Sequence, residues 1–565
     1  MQRMLKFGLT ILLSLVFAFP VGGFYVSPAL AAGKDHFRPS SPTPLGIPAD
    51  ELRTPAAFEA AAAANPSPAG QIYVSRCRFA PFSTSTTFYN PLGAGTSDAI
   101  VGDTTFPLAN NTTCYNPQNE SNIVVNPTNS ANLVTSANEY RIDGDEVYVS
   151  MDGGATWVNV ILPGWTYSTG GSGVFSRMSS CGDPALAFGP DGTLYYSGLV
   201  CNGNRVAFFS GVAVASSKDG GLTWGAPRMV SFNNSNNIFN DKEFLTVGSN
   251  GTVYVTWTRF FANPAHGYVA SPIVLSSSSD GGNTWTDWVA VSDKSHPYDQ
   301  GSFPLVAPNG TVYVAYEGST PSSGYWGDAI IVARSTDGGK TFTNDEVARA
   351  YDDYNCYPIN VSQGRQTLSG EQFRINSFPS FAIDPTTGEL AITWADDQAN
   401  ASCGYEKGGS FVGPTSNQVK LITSENGTTW TDPMVITPGE TDKVYPAVGA
   451  NAGRIYVSYY TRAYSPSTDD CKAQVQNTTN GTLSLLPGAV CLDYASRSST
   501  DNYVSEARLT NQSSNPYITF TGSFIGDYTG AVVSADNLAS SAWADFRGNP
   551  GVTNPNMDID VSYGR

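Results

Sequence analysis

Short apolar runs pair across glycine turns along most of this chain. Phe244-Leu245-Thr246-Val247 leads through Asn250-Gly251 to Val253-Tyr254-Val255-Thr256-Trp257. Phe303-Pro304-Leu305-Val306 leads through Asn309-Gly310 to Val312-Tyr313-Val314-Ala315-Tyr316. Similar pairs begin at Pro184, Phe378 and Tyr445, turn at Asp191-Gly192, Gly388 and Gly453, and end on Tyr196, Trp394 and Tyr459. Two degenerate copies flank them: Asn122–Val125 with Leu133–Thr135, and Tyr528–Val533 with Ala539–Trp543. Apolar residues bounded by Asn-Gly or Asp-Gly predict antiparallel strand hairpins. These are seven repeated starts between about residue 120 and residue 565, and a repeat at such a period means an array of like units.

A second pattern follows most of these hairpins. Ser150–Trp157 reads S-M-D-G-G-A-T-W, Ser217–Trp224 reads S-K-D-G-G-L-T-W, Ser278–Trp285 reads S-S-D-G-G-N-T-W and Ser335–Phe342 reads S-T-D-G-G-K-T-F. A weaker copy, T-S-E-N-G-T-T-W, spans Thr423–Trp430. The glycine pair supplies positive φ, and the Asp carboxylate can accept N–H groups of its own turn. Asp152, Asp219, Asp280 and Asp337 are therefore expected to be structural. The pattern closely resembles the Asp-box, or bacterial neuraminidase repeat, of the sialidase superfamily. The resemblance implies an all-β β-propeller of four-stranded antiparallel blades. It places the box on the turn between third and fourth strands, on the face away from the active site.

Counted this way, the chain has seven blades, with six as the alternative if one degenerate unit lies outside the ring. The last unit ends at Asp558–Tyr563, its third strand. Ile72–Ser75 is expected to supply the missing fourth strand and close the ring, which removes exposed sheet edges.

The amino terminus adds a compartment. Met1–Ala31 has a basic start, an apolar run too short for a span and a small-residue cleavage site, and reads as a signal peptide. Residues 32–70 are rich in Pro and Ala and read as a linker before a propeller over 71–565. No later apolar run is long enough to span a bilayer, so a secreted, monomeric protein is the expectation. Removing Arg3 and Lys6 with the leader takes the formal charge from −18 to −20, which leaves no electrostatic footprint for nucleic acid. Eight cysteines in an exported chain suggest disulfides. Neighbour pairing would join Cys77 to Cys114, Cys181 to Cys201, Cys356 to Cys403 and Cys471 to Cys491, although sequence alone does not fix connectivity. Three histidines give little basis for zinc or for a Ser-His-Asp triad.

Propeller topology brings strand-one starts and strand-two ends to one channel mouth. The starts carry Glu120, Asp183, Asp241 with Lys242 and Glu243, Gln300, Asn376, Tyr445, and Asp527 with Tyr528. After strand two stand Glu317, Asp396 with Asp397, Asp545, Arg259, Arg462 and Arg547. The sialidase resemblance implies three arginines on a sugar carboxylate, a Tyr nucleophile activated by Glu, and an Asp acid/base. Tyr140-Arg141-Ile142-Asp143 lacks the proline of the family's R-I-P motif. Arg259, Arg462 and Arg547 are therefore the substrate-binding set chosen by topology. Asp183, Glu243, Asp527 and Tyr528 are the catalytic candidates, with Tyr445 as second tyrosine. The same ring could instead hold Ca²⁺, through Asp241, Glu243 and Asp527; otherwise no cofactor is expected. Three functions remain open: a sialidase-like exo-glycosidase, a non-catalytic propeller binding glycans or proteins, and a structural propeller.

Overall fold

A computed structural model describes residues 95–99, 117–140, 142–202, 209–235, 237–263, 267–323, 327–352, 356–360, 365–397, 414–466, 471, 476–479, 482–485, 490–516, 522–546 and 557–565. Its strands form seven four-stranded antiparallel blades. Blade 1 contains Gln118–Asn126, Asn129–Glu139, Glu146–Ser150 and Val158–Ile161. Blade 2 contains Ser179–Phe188, Leu194–Asn202, Phe209–Ser217 and Arg228–Asn233. Blade 3 contains Ile238–Val247, Val253–Asn263, Ile273–Ser278 and Val289–Ala290, with Gly267–Ala270 added beside its second strand. Blade 4 contains Asp299–Val306, Val312–Ser319, Asp328–Ser335 and Thr343–Ala350. Blade 5 contains Ser380–Ile383, Leu390–Asp396, Gln418–Ser424 and Met434–Val435. Blade 6 contains Lys443–Asn451, Arg454–Thr461, Asp493–Ser498 and Ala507–Arg508. Blade 7 contains Gly530–Val533, Ala539–Asp545, Asp558–Ser562 and, from far upstream, Thr96–Asp98. The first strand of every blade packs on the first strand of the next, and blade 7 returns to blade 1.

Ring closure is where expectation and structure differ in detail. The closing strand is Thr96–Asp98, in register with Ser562, Val561 and Asp560. Ile72–Ser75 lies outside the described residues. Thr-Ser-Asp carries no apolar alternation, so nothing in the pattern marks it as a strand. It is held by backbone pairing and by Ser97, whose hydroxyl donates to Gly154 O at 2.6 Å and accepts from Trp157 Nε1 at 2.9 Å.

The hydrophobic core is a ring of layers between neighbouring blades. Between blades 2 and 3, Tyr195, Val212 and Val214 meet Leu245, Val253, Val255 and Trp257. Between blades 4 and 5, Tyr313, Ala315 and Val332 meet Phe381, Leu390 and Ile392. Aromatic ends of second strands become fully buried wedges: Trp257, Tyr316, Trp394, Tyr459 and Trp543. The indoles need acceptors once buried. Trp257 donates to Asn240 Oδ1 at 2.9 Å and Trp394 to Asp396 Oδ2 at 2.8 Å.

The repeat turns join third and fourth strands and are closed by their own side chains. In the turn at Asp219, Ser217 Oγ donates to Asp219 Oδ1 at 2.8 Å, while Thr223 donates its N–H at 2.8 Å and its hydroxyl at 2.5 Å to the same carboxylate. Asp152, Asp280 and Asp337 make the corresponding bonds. Hydrogen bonds from threonine and serine hold the Asp280 carboxyl down at about 2. Gly154, at φ +98°, is required by contact as well as conformation: a Cβ there would lie 2.7 Å from the Tyr563 Cβ.

Of the cysteines, Cys181–Cys201 and Cys471–Cys491 are disulfides, as neighbour pairing anticipates. Cys356 is also disulfide-bonded, to a cysteine outside the described residues. Cys77, Cys114 and Cys403 lie outside them too, as do Met1–Ala31 and the linker.

Candidate functional site at the ring centre

The centre is built by one backbone device used repeatedly. The first strands of blades 1, 2, 3, 4 and 6 each carry a bulge at the same height, seen as register shifts at Asn119/Asn122, Gly182/Ala185, Asp241/Phe244, Gln300/Phe303 and Val444/Ala447. The bulged residue is left-handed: Glu120 at φ 58°, Asp183 at 55°, Lys242 at 51° and Tyr445 at 50°, with Gly301 at 68° in blade 4. A non-glycine residue in that conformation costs about 1–2 kcal/mol. Four such residues at equivalent positions are held by the same device, which re-aims a side chain out of the sheet.

Those side chains meet. Lys242 Nζ lies 3.0 Å from Glu120 Oε1, 2.9 Å from Asp183 Oδ1 and 2.9 Å from Asp527 Oδ2. Arg374 clasps Asp527 from the other side, Nε to Oδ1 at 2.7 Å and Nη2 to Oδ2 at 2.5 Å. Asn138 Nδ2 donates to Glu120 Oε2 at 2.6 Å. The N–H of Asp527 donates to Glu120 Oε1 at 3.1 Å, and the Tyr445 hydroxyl donates to Arg374 O. All of these groups are buried. Burial pushes the Glu120 carboxyl well up, with Asp183 and Asp527 adding to it and Lys242 opposing. Burial also works against the Asp527 carboxylate, but Arg374 and Lys242 outweigh it and hold it far below the usual range. Two cations, Lys242 and Arg374, thus meet the three carboxyl groups of Glu120, Asp183 and Asp527.

Three of the four catalytic candidates are brought into this cluster or onto its edge. Asp183 and Asp527 are members of it. Tyr528 lies with its ring 5.7 Å from Lys242 Nζ, and its hydroxyl is 3.5 Å from Pro184 O. Burial, then Asp183 and Glu120, push the Tyr528 hydroxyl well above its ordinary range. Glu243, next to Lys242 in the bulge, is fully buried, and neither carboxylate oxygen has a hydrogen-bond partner among the described residues. Burial, reinforced by Asp183, raises it well above the usual range. Tyr528, Asp527, Lys242 and Tyr445 line a chamber of about 40 Å³, with phenylalanines 244, 303 and 378 around it. That is space for about one or two waters.

The arginine set is not gathered at one place among the described residues. Arg259 and Arg462 belong to separate networks, because the second strands of blades 3 and 6 lie across the ring from each other. Arg462 pairs with Asp442 at 2.6 Å and approaches Glu371 at 3.7 Å. Arg259 donates to Asn240 Oδ1 at 3.1 Å, at the seam with blade 2. Arg547 and Arg141 lie outside the described residues. The calcium set is corrected. Asp527 is clasped by two cations, and Asp241 accepts from Gln300 at 3.0 Å. Among the described residues the acidic groups near enough to share one ion are Glu317, Asp328 and Asp352, all buried at the mouth end of blade 4. Their oxygens suit a hard cation.

Arg374 is the central residue that sequence reasoning missed. It precedes the first strand of blade 5 in an irregular segment, so no strand periodicity marks it. The available signal was its place just before Asn376, in a chain where basic residues are sparse.

Sialidases are among the solved structures that resemble this chain. The Trypanosoma rangeli sialidase in complex with the inhibitor DANA is 15% identical at a TM-score of 0.38, covering 62% of this chain and 53% of that one. The chain thus spans about half the length of that relative. The Hadza microbial sialidase Hz136 is 13% identical at a TM-score of 0.39, over 77% of this chain and 73% of that one. The α-L-arabinofuranosidase of Fusarium graminearum with arabinobiose is 14% identical at 0.38, over 62% and 90%. No protein-family model and no curated protein matches the sequence.

Proposed function

We propose that this is an exported, sialidase-like propeller that binds glycans without hydrolysing them at its centre. The observation that carries this reading is the chamber of about 40 Å³ among buried, ion-paired candidates. Sites for small ligands run to about 300–1,000 Å³. A nucleophilic tyrosine also gains nothing from a hydroxyl pushed far up by burial and by neighbouring carboxylates. Among the described residues, space of the right size is found in two adjoining grooves on the outer wall. One, of about 850 Å³, runs between blade 1 and the repeat turn of blade 2 past Phe175 and Trp224. The other, of about 410 Å³, runs between blades 2 and 3 past Trp285 and Trp288. Aromatic faces beside hydroxyl and amide groups suit sugar rings. Disulfides at Cys181–Cys201 and Cys471–Cys491 support an oxidising destination, and no helix among the described residues is long and apolar enough to cross a membrane.

The test pairs a glycan array with a panel of fluorogenic glycosides that includes a sialoside. Retention on glycans with no turnover is the expected result. Turnover that disappears in Tyr528→Phe would overturn the reading and establish the centre as a hydrolytic site.

A further inference from the structure

The buried cations Lys242, Arg374 and Lys420 each form an ion pair, and buried Lys443, without one among the described residues, spends its ammonium on three neutral oxygens of Gln418 and Thr441. Arg259 is only 8% exposed, yet it forms no ion pair among the described residues. Its Nη1 donates to two neutral oxygens, Asn240 Oδ1 at 3.1 Å and Ser231 Oγ at 3.4 Å. Its buried Nε has no acceptor among the described residues. The edge formed by Nε and Nη2 is the one that grips a carboxylate or sulfate through two parallel bonds. A guanidinium withdrawn from water without a counter-ion is unfavourable until an anion completes it.

The surroundings match. The guanidinium lies 5.1 Å from the ring centre of Trp288 and 5.6 Å from that of Phe261. Trp288 remains 42% exposed, so part of its indole is open to a ligand beside the cation. The groove of about 410 Å³ is bordered by Arg228, Phe232, Trp285 and Asp287 as well. Two guanidiniums therefore face a single carboxylate, in a chain whose formal charge is −18.

We propose that this seam between blades 2 and 3 binds an anionic saccharide, its carboxylate or sulfate on Arg259 and a pyranose face on Trp288. The proposal rests on the glycan-binding reading and goes beyond it by naming the site and the ligand charge. Nothing in it draws on the ring centre.

The experiment is calorimetric titration of the full chain with an oligogalacturonate, a sulfated galactan oligosaccharide and a neutral galactan oligosaccharide of equal length. An anionic ligand is expected to bind at least about tenfold more tightly than the neutral one. Which anionic ligand binds distinguishes carboxylate from sulfate. Arg259→Gln is expected to weaken that binding on the order of tenfold to a hundredfold, the usual loss for a charge-assisted pair. Trp288→Ala is expected to weaken it about tenfold with the thermal midpoint unchanged, because the indole is exposed. Trp288→Ala carries the test alone if Arg259→Gln fails to fold. Equal affinity for the neutral ligand, or anionic binding unchanged in Trp288→Ala, would overturn this site while leaving a glycan-binding propeller intact. No binding by any saccharide here or on the array would remove the glycan reading itself.

Discussion

The ring centre and the seam between blades 2 and 3 both bury a cation, in opposite company. Lys242 touches three carboxylates, and Arg374 shares one of them. Arg259 touches an amide oxygen and a hydroxyl and, among the described residues, no carboxylate. The centre is tied through strained backbone to blades 1, 2, 3 and 6, and its space amounts to about 40 Å³. The seam opens into about 410 Å³ beside an exposed tryptophan. Charge that is already neutralised by its own fold holds blades together. Charge left without a counter-ion beside open space is available to a ligand.

That contrast can be broken most forcefully at Lys242. Lys242→Met leaves Glu120, Asp183 and Asp527 facing one another in a buried site. A loss of about 3–5 kcal/mol is expected, as for removal of one partner from a buried ion network. Denaturant titration measures it, and a wild-type midpoint would mean that the centre is not the hub described.

Glu243 gives the next effect, and its sign depends on pH. Burial raises its folded-state pKa above the unfolded value. The folded protein therefore keeps a proton that the unfolded chain releases. Stability is fullest below the ordinary glutamate range and falls as pH rises from there toward the raised value. Glu243→Gln removes that fall. Thermal midpoints of the two proteins should agree near pH 4 and favour the variant near pH 8, and the reverse order would refute the assignment.

A third kind of carboxylate sharpens the comparison, one satisfied within its own turn. Asp219→Ala deletes the bonds to Ser217 and Thr223 and should cost about 1 kcal/mol. Since those bonds hold the carboxyl down, the contribution is present above the ordinary aspartate range and is lost as pH falls through the depressed value. Urea midpoints of parent and variant should thus converge in acid.

Tyr528→Phe should change least. Its hydroxyl reaches Pro184 O at only 3.5 Å, so a loss of no more than about 0.5 kcal/mol is expected. A larger loss in a denaturation curve would place the hydroxyl inside the hub rather than on its edge.

Much of this comparison was legible along the chain. The hairpins opening at Phe244, Phe303, Phe378 and Tyr445 became first and second strands of consecutive blades, because apolar alternation bounded by Asn-Gly turns leaves few other structures. Glu120, Asp183, Lys242 and Asp527 stood out as polar residues at recurring places, and they meet at the centre. What did not show was their state. A topological map places carboxylates at a mouth, and it does not reveal that Lys242 and Arg374 neutralise them or that phenylalanines fill the space. Arg374 was missed because it sits outside any strand.

The local pattern by itself determined the hairpins and the repeat turns and favoured seven units over six, since those depend on neighbours within a hairpin and on hydrogen bonds that Ser, Asp, Gly and Thr make within eight residues. Tertiary structure decided which upstream segment closes the ring, because Thr96–Asp98 is recruited by backbone groups that every residue carries. It also decided which charges are paired. Lys242 and Asp527 are far apart in sequence and 2.9 Å apart in space, and whether a buried cation is neutralised or waiting depends on blades brought together only when the ring is complete.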